Sequence, residues 1–98
     1  MPTDLVWPHG WAPVEDAQER GVLEAELARE CSSAHVLHKA TAALIARHQK
    51  TDDCLFALED GRVAQVHLTW STETKPDFPW TEIYPSFSVW ARHPANDA

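Results

Sequence analysis

The chain has 98 residues, enough for one domain with one modest core. Hydrophobic residues make up 44%, which places it with folding sequences rather than with solvated, disordered ones. Asp and Glu number 15 against 8 Lys and Arg, a net charge of −7, which argues against binding a nucleic-acid backbone or an anionic membrane surface.

No apolar run approaches the roughly 18–20 residues of a membrane span. The opening Met1-Pro2-Thr3-Asp4 lacks the basic flank and apolar stretch of a signal peptide, so a cytoplasmic protein is expected. In that setting Cys31 and Cys54 are expected as free thiols, since neither lies in a C-x-x-C pattern. The charge is uneven. Residues 1–33 carry net −5, residues 34–50 net +3, residues 51–70 net −3 and residues 71–98 net −2. An acidic stretch beside a basic one reads first as internal complementarity, and second as an acidic face for a basic partner.

Residues 1–14 form an arm with Trp7, Pro8, Gly10, Trp11 and Pro13, too rich in proline for a helix or a central strand. Its tryptophans are expected to pin it to the domain. Residues 15–31 read as a helix whose buried stripe is Val22, Leu23, Leu27, Ala28 and Cys31, with Glu24, Glu26, Arg29 and Glu30 mostly on the solvated side. Gly21 interrupts the pattern and is a possible start; Ser32-Ser33 is expected to end it. Residues 40–49 fit either a helix, by their alanines, or a strand, by alternation; the strand is preferred.

Residues 54–70 carry the clearest signal. Leu55-Phe56-Ala57-Leu58 and the alternating Val63–Trp70 flank Asp60-Gly61, a two-residue hairpin turn signal of type I′. That turn sets Leu58 opposite Val63, Cys54 opposite His67 and Asp52 opposite Thr69. One face then carries Leu55, Ala57, Ala64, Val66, Leu68 and Trp70 and should meet the helix. The other carries Cys54, Phe56, Leu58, Val63, Gln65, His67 and Thr69. A slip of one residue would exchange these assignments. Residues 71–79 read as a loop, Trp80–Ile83 as a short edge strand, Pro85–Trp90 as a short helix and residues 93–98 as a loose tail.

Asp52-Asp53-Cys54-Leu55-Phe56, the Asp-Gly turn and Val66-His67-Leu68-Thr69-Trp70 resemble a small bacterial family of uncharacterised single-domain proteins. The early Trp7-Pro8-His9-Gly10-Trp11, the helical Glu26-Leu27-Ala28-Arg29-Glu30, and Trp80 and Tyr84 are similar to it as well. The resemblance implies a strand at residues 40–49 and transfers no catalytic residue.

Three constellations can carry chemistry. His67 with Cys54 and Asp52 at the hairpin's open end is raw material for an acid–base or nucleophilic site. Cys31, His35 and His38 would stack on one face if the helix continued, a weak zinc-ligand set. Trp7, Trp11 and Trp80 lie in or beside proline-rich irregular segments, where binding residues are common, whereas Trp70 and Trp90 read as core. The chain has no phosphate-cradling loop, no G-x-S-x-G and no H-E-x-x-H, so no cofactor and no catalytic residue is assigned.

The expected fold is α+β: an N-terminal helix on an antiparallel sheet of three or four strands, then a short C-terminal helix. The leading functional expectation is a small acidic module that binds a protein partner, with a homodimer as one version, and neither nucleic acid nor membrane. Its candidate binding residues are Trp7, Trp11, Asp52, Asp53, His67 and Trp80. The alternatives are a small-ligand binder or enzyme at His67, Cys54 and Asp52, and a metal protein at Cys31, His35 and His38.

Overall fold

The computed structural model describes residues 7–70 and 79–92. Its elements run β1 (Trp11–Pro13), α1 (Ala17–Glu30), β2 (Ala42–His48), β3 (Asp53–Leu58), β4 (Val63–His67), β5 (Trp80–Tyr84) and α2 (Phe87–Ala91). The five strands form one antiparallel sheet in the order β1-β2-β3-β4-β5. The fold is the α+β architecture expected, with one strand more, because the proline-rich arm supplies an edge strand. Pro13 is tolerated there because an edge strand leaves one side of its backbone unpaired. The tail 93–98 and most of the loop 71–79 lie outside the described residues. No helix among those described is long and apolar enough to cross a membrane.

The β3–β4 hairpin corrects the predicted register. Ala57, not Leu58, is opposite Val63, and Phe56 is opposite Ala64. Asp60-Gly61 is not a two-residue turn but the end of a three-residue loop, Glu59-Asp60-Gly61. The loop closes with Leu58 N–H on the Arg62 carbonyl at 2.9 Å and Gly61 N–H on the Leu58 carbonyl at 3.2 Å. Gly61 sits at φ +92°, as expected of the glycine that ends a three-residue hairpin loop with a bulge. The Asp60 carboxylate accepts from Arg62 N–H at 3.2 Å and from Arg62 Nε at 2.7 Å, which stiffens the loop.

The shift moves β3 by one residue relative to β4 and exchanges its faces. Cys54, Phe56 and Leu58, together with Ala64, Val66 and Leu68, face α1 with Leu23, Leu27, Leu37 and Leu44. Leu55 and Val63 face the other way, with Ala46, Tyr84, Trp11 and Trp90. Both faces of the sheet are therefore covered, which is why β3 is apolar at successive positions and its alternation does not choose a side.

Asp16 caps α1, accepting from Gln18 N–H at 3.2 Å, and Gly21 lies inside the helix rather than at its start. The helix ends at Glu30, where Cys31 takes an extended backbone. Its buried residues are Leu23, Glu26, Leu27 and Glu30. Val22, expected in the core, is 56% exposed, and Ala28 is exposed too. Two leucines alone would hold the helix weakly, and its acidic side chains do the rest. Glu19 pairs with Arg47 on β2 at 3.0 Å. Glu24 accepts from Leu44 N–H at 2.8 Å, beside the irregularity in β2 between Leu44 and Ala46.

On the opposite face Trp90 is fully buried. It meets Trp11 at a centroid distance of 5.0 Å and Trp7 at 6.3 Å, both edge-on, and its indole N–H donates to Gln65 at 2.8 Å. The arm is pinned by its tryptophans as expected. Gly10 makes this possible. It has φ +86°, and a methyl group there would lie 2.3 Å from His48 Nε2. The two glycines that precede the core strands thus predict opposite outcomes. Gly10→Ala is expected to lower stability in a urea titration by about 2 kcal/mol or more. Gly21→Ala, in an exposed helix interior with nothing within 4 Å, is expected to raise it by about 1 kcal/mol.

Candidate functional site

The register of the hairpin decides what stands at its open end. Asp53, rather than Cys54, is opposite His67, and His67 is opposite Trp80 on β5. These three side chains form a row across β3, β4 and β5 on the sheet face that carries α2. His67 Nδ1 lies 3.0 Å from Asp53 Oδ1. The Asp53 carboxylate accepts from Nδ1 in the tautomer that carries its proton there. The second Asp53 oxygen accepts from Thr51 Oγ at 2.7 Å. Trp80 is 58% exposed and His67 is half open to solvent.

Cys54 is buried on the opposite face, among the residues under α1. Burial pushes its thiol up to about 12, with Arg47 the main opposing influence. The side chains grouped as an acid–base or nucleophilic set are therefore not one cluster: the thiol is separated from the imidazole by the thickness of the sheet. Asp52 is also displaced from its expected partner. Its carbonyl accepts from Leu68 N–H at 3.1 Å, and its carboxylate accepts from the Trp70 indole N–H at 3.2 Å.

Trp70 reads from sequence as core and is instead 46% exposed. Its backbone is left-handed, φ +60°, an uncommon state for a residue with a bulky side chain. A buried carboxylate holds it there. Glu30, at the last turn of α1 and fully buried, accepts from Thr69 N–H at 2.7 Å, Thr69 Oγ at 3.0 Å and Trp70 N–H at 2.7 Å. Burial raises the Glu30 carboxyl above the usual range, as does its hydrogen bond with Glu26; the Thr69 and Trp70 donors work against this. Glu26 is held below the usual range, chiefly by its hydrogen bond to Arg29. The two neighbouring carboxyls are thus moved in opposite directions, Glu30 up and Glu26 down.

The Cys31, His35 and His38 stack does not form, because the helix ends before it. His35 is buried, takes Leu37 N–H on Nδ1 at 3.0 Å and faces the Pro79 carbonyl through Nε2 at 2.9 Å. It ties the segment after α1 to the start of β5. The Cys31 thiol is raised to about 11 by burial and then by Glu30. Among the described residues no three His, Cys, Asp or Glu side chains are grouped so as to hold a metal ion. Trp7 packs against Phe87 and Trp90, and Trp11 is buried. Of the six candidate binding residues, Asp52, Asp53, His67 and Trp80 share one end of the sheet, and Trp7 and Trp11 belong to the core.

Clefts among the described residues lie elsewhere. One, of about 290 Å³, lies between residues 36–41 and the hairpin loop, with Lys39, Glu59, Asp60 and Arg62 on its wall. The other, of about 210 Å³, runs between α1 and residues 37–42 and includes Cys31 and His38. Neither is lined by a candidate binding residue.

Sequence reading missed Glu30 and Glu26, which it placed on the solvated side. The available signal was spacing: residues 23, 26, 27 and 30 form one helical stripe, and two of its four members are carboxylates. No protein-family model matches the chain, and comparison with curated proteins and with solved structures finds no significant match.

The Glu30 clamp has a pH signature. A carboxyl raised on folding contributes stability that is complete below its unfolded pKa and is lost as pH rises through the folded one. Glu26, being lowered, contributes in the opposite sense and loses its share as pH falls. Glu30→Gln keeps an acceptor oxygen without the ionisation. Its melting temperature relative to wild type is expected to climb as pH goes from about 5 to about 8. A difference that stays constant with pH would contradict the assignment. Glu30→Ala, which strands two backbone donors, is expected to cost about 2–4 kcal/mol.

Proposed function

We propose that this protein is a small cytoplasmic interaction module whose contact surface is the open end of the sheet, centred on Trp80 and flanked by His67 and Asp53. The observation that carries the reading is the contrast among the tryptophans. Three of them, Trp7, Trp11 and Trp90, pack together, while Trp70 and Trp80 present large indoles to solvent at the end where β4 and β5 meet. Exposed indoles are what interface hot spots are made of, since they supply wide contact area with few rotors to freeze. Trp70 adds weight, because a strained backbone and a buried carboxylate hold it in a place where it covers little of the core. The free thiols Cys31 and Cys54 fit a reducing compartment.

The test separates binding from folding. Trp80→Ala is expected to shift the melting temperature by no more than about 2 °C, as for an exposed residue away from caps and core. Used as bait in a lysate, wild-type protein is expected to retain at least one partner that Trp80→Ala and His67→Ala both lose. Identical retention by wild type and both variants would contradict the reading.

A further inference from the structure

The cleft of about 290 Å³ lies at the other end of β3 and β4 from His67, where the hairpin loop faces the segment after α1. Its volume is at the low end for a small-molecule site and suits a ligand of amino-acid size. Its floor is apolar: Leu37 and Leu58 are buried, and Ile83 packs half-buried against the same core. Its walls are charged. Arg62 is held by Asp60 at 2.7 Å, so those two charges offset each other. One further charge stands on each wall, Lys39 on the segment after α1 and Glu59 on the hairpin loop. Among the described residues neither has an ion-pair partner, and the two are too far apart to pair with each other.

Lys39 occupies a position that favours a residue without a side chain. Ala40 N–H closes a tight turn on the Leu37 carbonyl at 3.0 Å, and Lys39 inside that turn has φ +61°, the left-handed state that glycine adopts most readily. A strained turn that carries a lysine beside a cleft points to a use for its ammonium group. We infer that this cleft binds a free α-amino acid with an aliphatic side chain, of the leucine type. Lys39 receives its carboxylate, Glu59 its ammonium group, and Leu37, Leu58 and Ile83 its side chain. Opposite charges held apart across an apolar floor match a zwitterion. They do not match a phosphate, which Glu59 and Asp60 repel, or an uncharged apolar molecule, which leaves both charges unmet. The cleft is remote from Trp80, so the inference does not depend on the binding surface proposed above.

The experiment titrates the full chain, 15N-labelled and at constant ionic strength, with L-leucine, leucine amide, N-acetyl-leucine and glycine. Leucine is expected to move the amides of residues 37–41 and 58–62 saturably, with a Kd of about 1–10 mM. Leucine amide lacks the carboxylate, N-acetyl-leucine the ammonium group and glycine the apolar side chain. Each is expected to bind about five-fold more weakly or worse. Glu59→Gln and Lys39→Gly are each expected to weaken leucine by a similar factor of about five. Lys39→Gly is also expected to melt no lower than wild type, because glycine relieves the left-handed turn. Trp80→Ala, on the other surface, is expected to leave leucine affinity unchanged. No saturable shift at residues 37–41 and 58–62 up to about 50 mM leucine would overturn the inference. So would shifts that map elsewhere, equal binding of leucine and its amide or acetyl derivative, or full leucine affinity in Lys39→Gly. None of these outcomes touches the reading at Trp80, which stands or falls on its own test.

Discussion

The register of the β3–β4 hairpin is the constraint on which the rest of the structure depends. A loop of three residues instead of two moves β3 by one position, and in a strand one position is one face. The step places Cys54, Phe56 and Leu58 under α1 and gives Leu55 to the tryptophan cluster. It also removes the thiol from His67 and puts Asp53 in its place at 3.0 Å. Gly61 makes the longer loop inexpensive, because φ +92° carries no steric penalty without a Cβ. Asp60 reinforces it by holding Arg62. Core composition and surface chemistry thus have one cause.

The second layer of organisation is polar. α1 offers the sheet only two buried leucines, so its position is set as much by what its carboxylates reach. Glu19 reaches a guanidinium, Glu24 a backbone amide of β2, and Glu30 the two amides at the end of β4. A buried carboxylate is costly unless its lone pairs are met, and Glu30 meets three donors. The same contact fixes the turn of chain that presents Trp70 to Asp52. Helix docking and surface presentation are therefore one interaction seen from two sides.

Much of this was legible beforehand. The α+β class, the helix, the strand preferred at 40–49, the edge strand beginning at Trp80 and the short last helix follow from periodicity and turn chemistry. The hairpin register did not follow, because an Asp-Gly pair serves two loop lengths and a strand covered on both faces has no polar side to report the slip. The buried stripe of α1 was misread for a related reason: hydropathy counts Glu as solvated, whereas Glu26 and Glu30 are buried by the partners they find. Trp70 was assigned to the core by its size alone, and its left-handed backbone depends on Glu30, which is 40 residues away in sequence. The hairpin alone brings His67 and Asp53 to one open end, whereas Trp80 stands apart in sequence; that the three form one row is a consequence of pairing, which composition does not encode.

What the account requires above all is that Asp53 face His67 with Cys54 turned inward. Cross-strand nuclear Overhauser contacts in the labelled protein measure this directly. The account predicts contacts from Asp53 to His67 and from Ala57 to Val63, and contacts from Cys54 and Phe56 to residues of α1. Contacts from Cys54 to His67 and from Leu58 to Val63 as opposed pairs would mean the two-residue turn. They would return the thiol to the open face and dissolve the Asp53–His67–Trp80 surface on which the function has been argued.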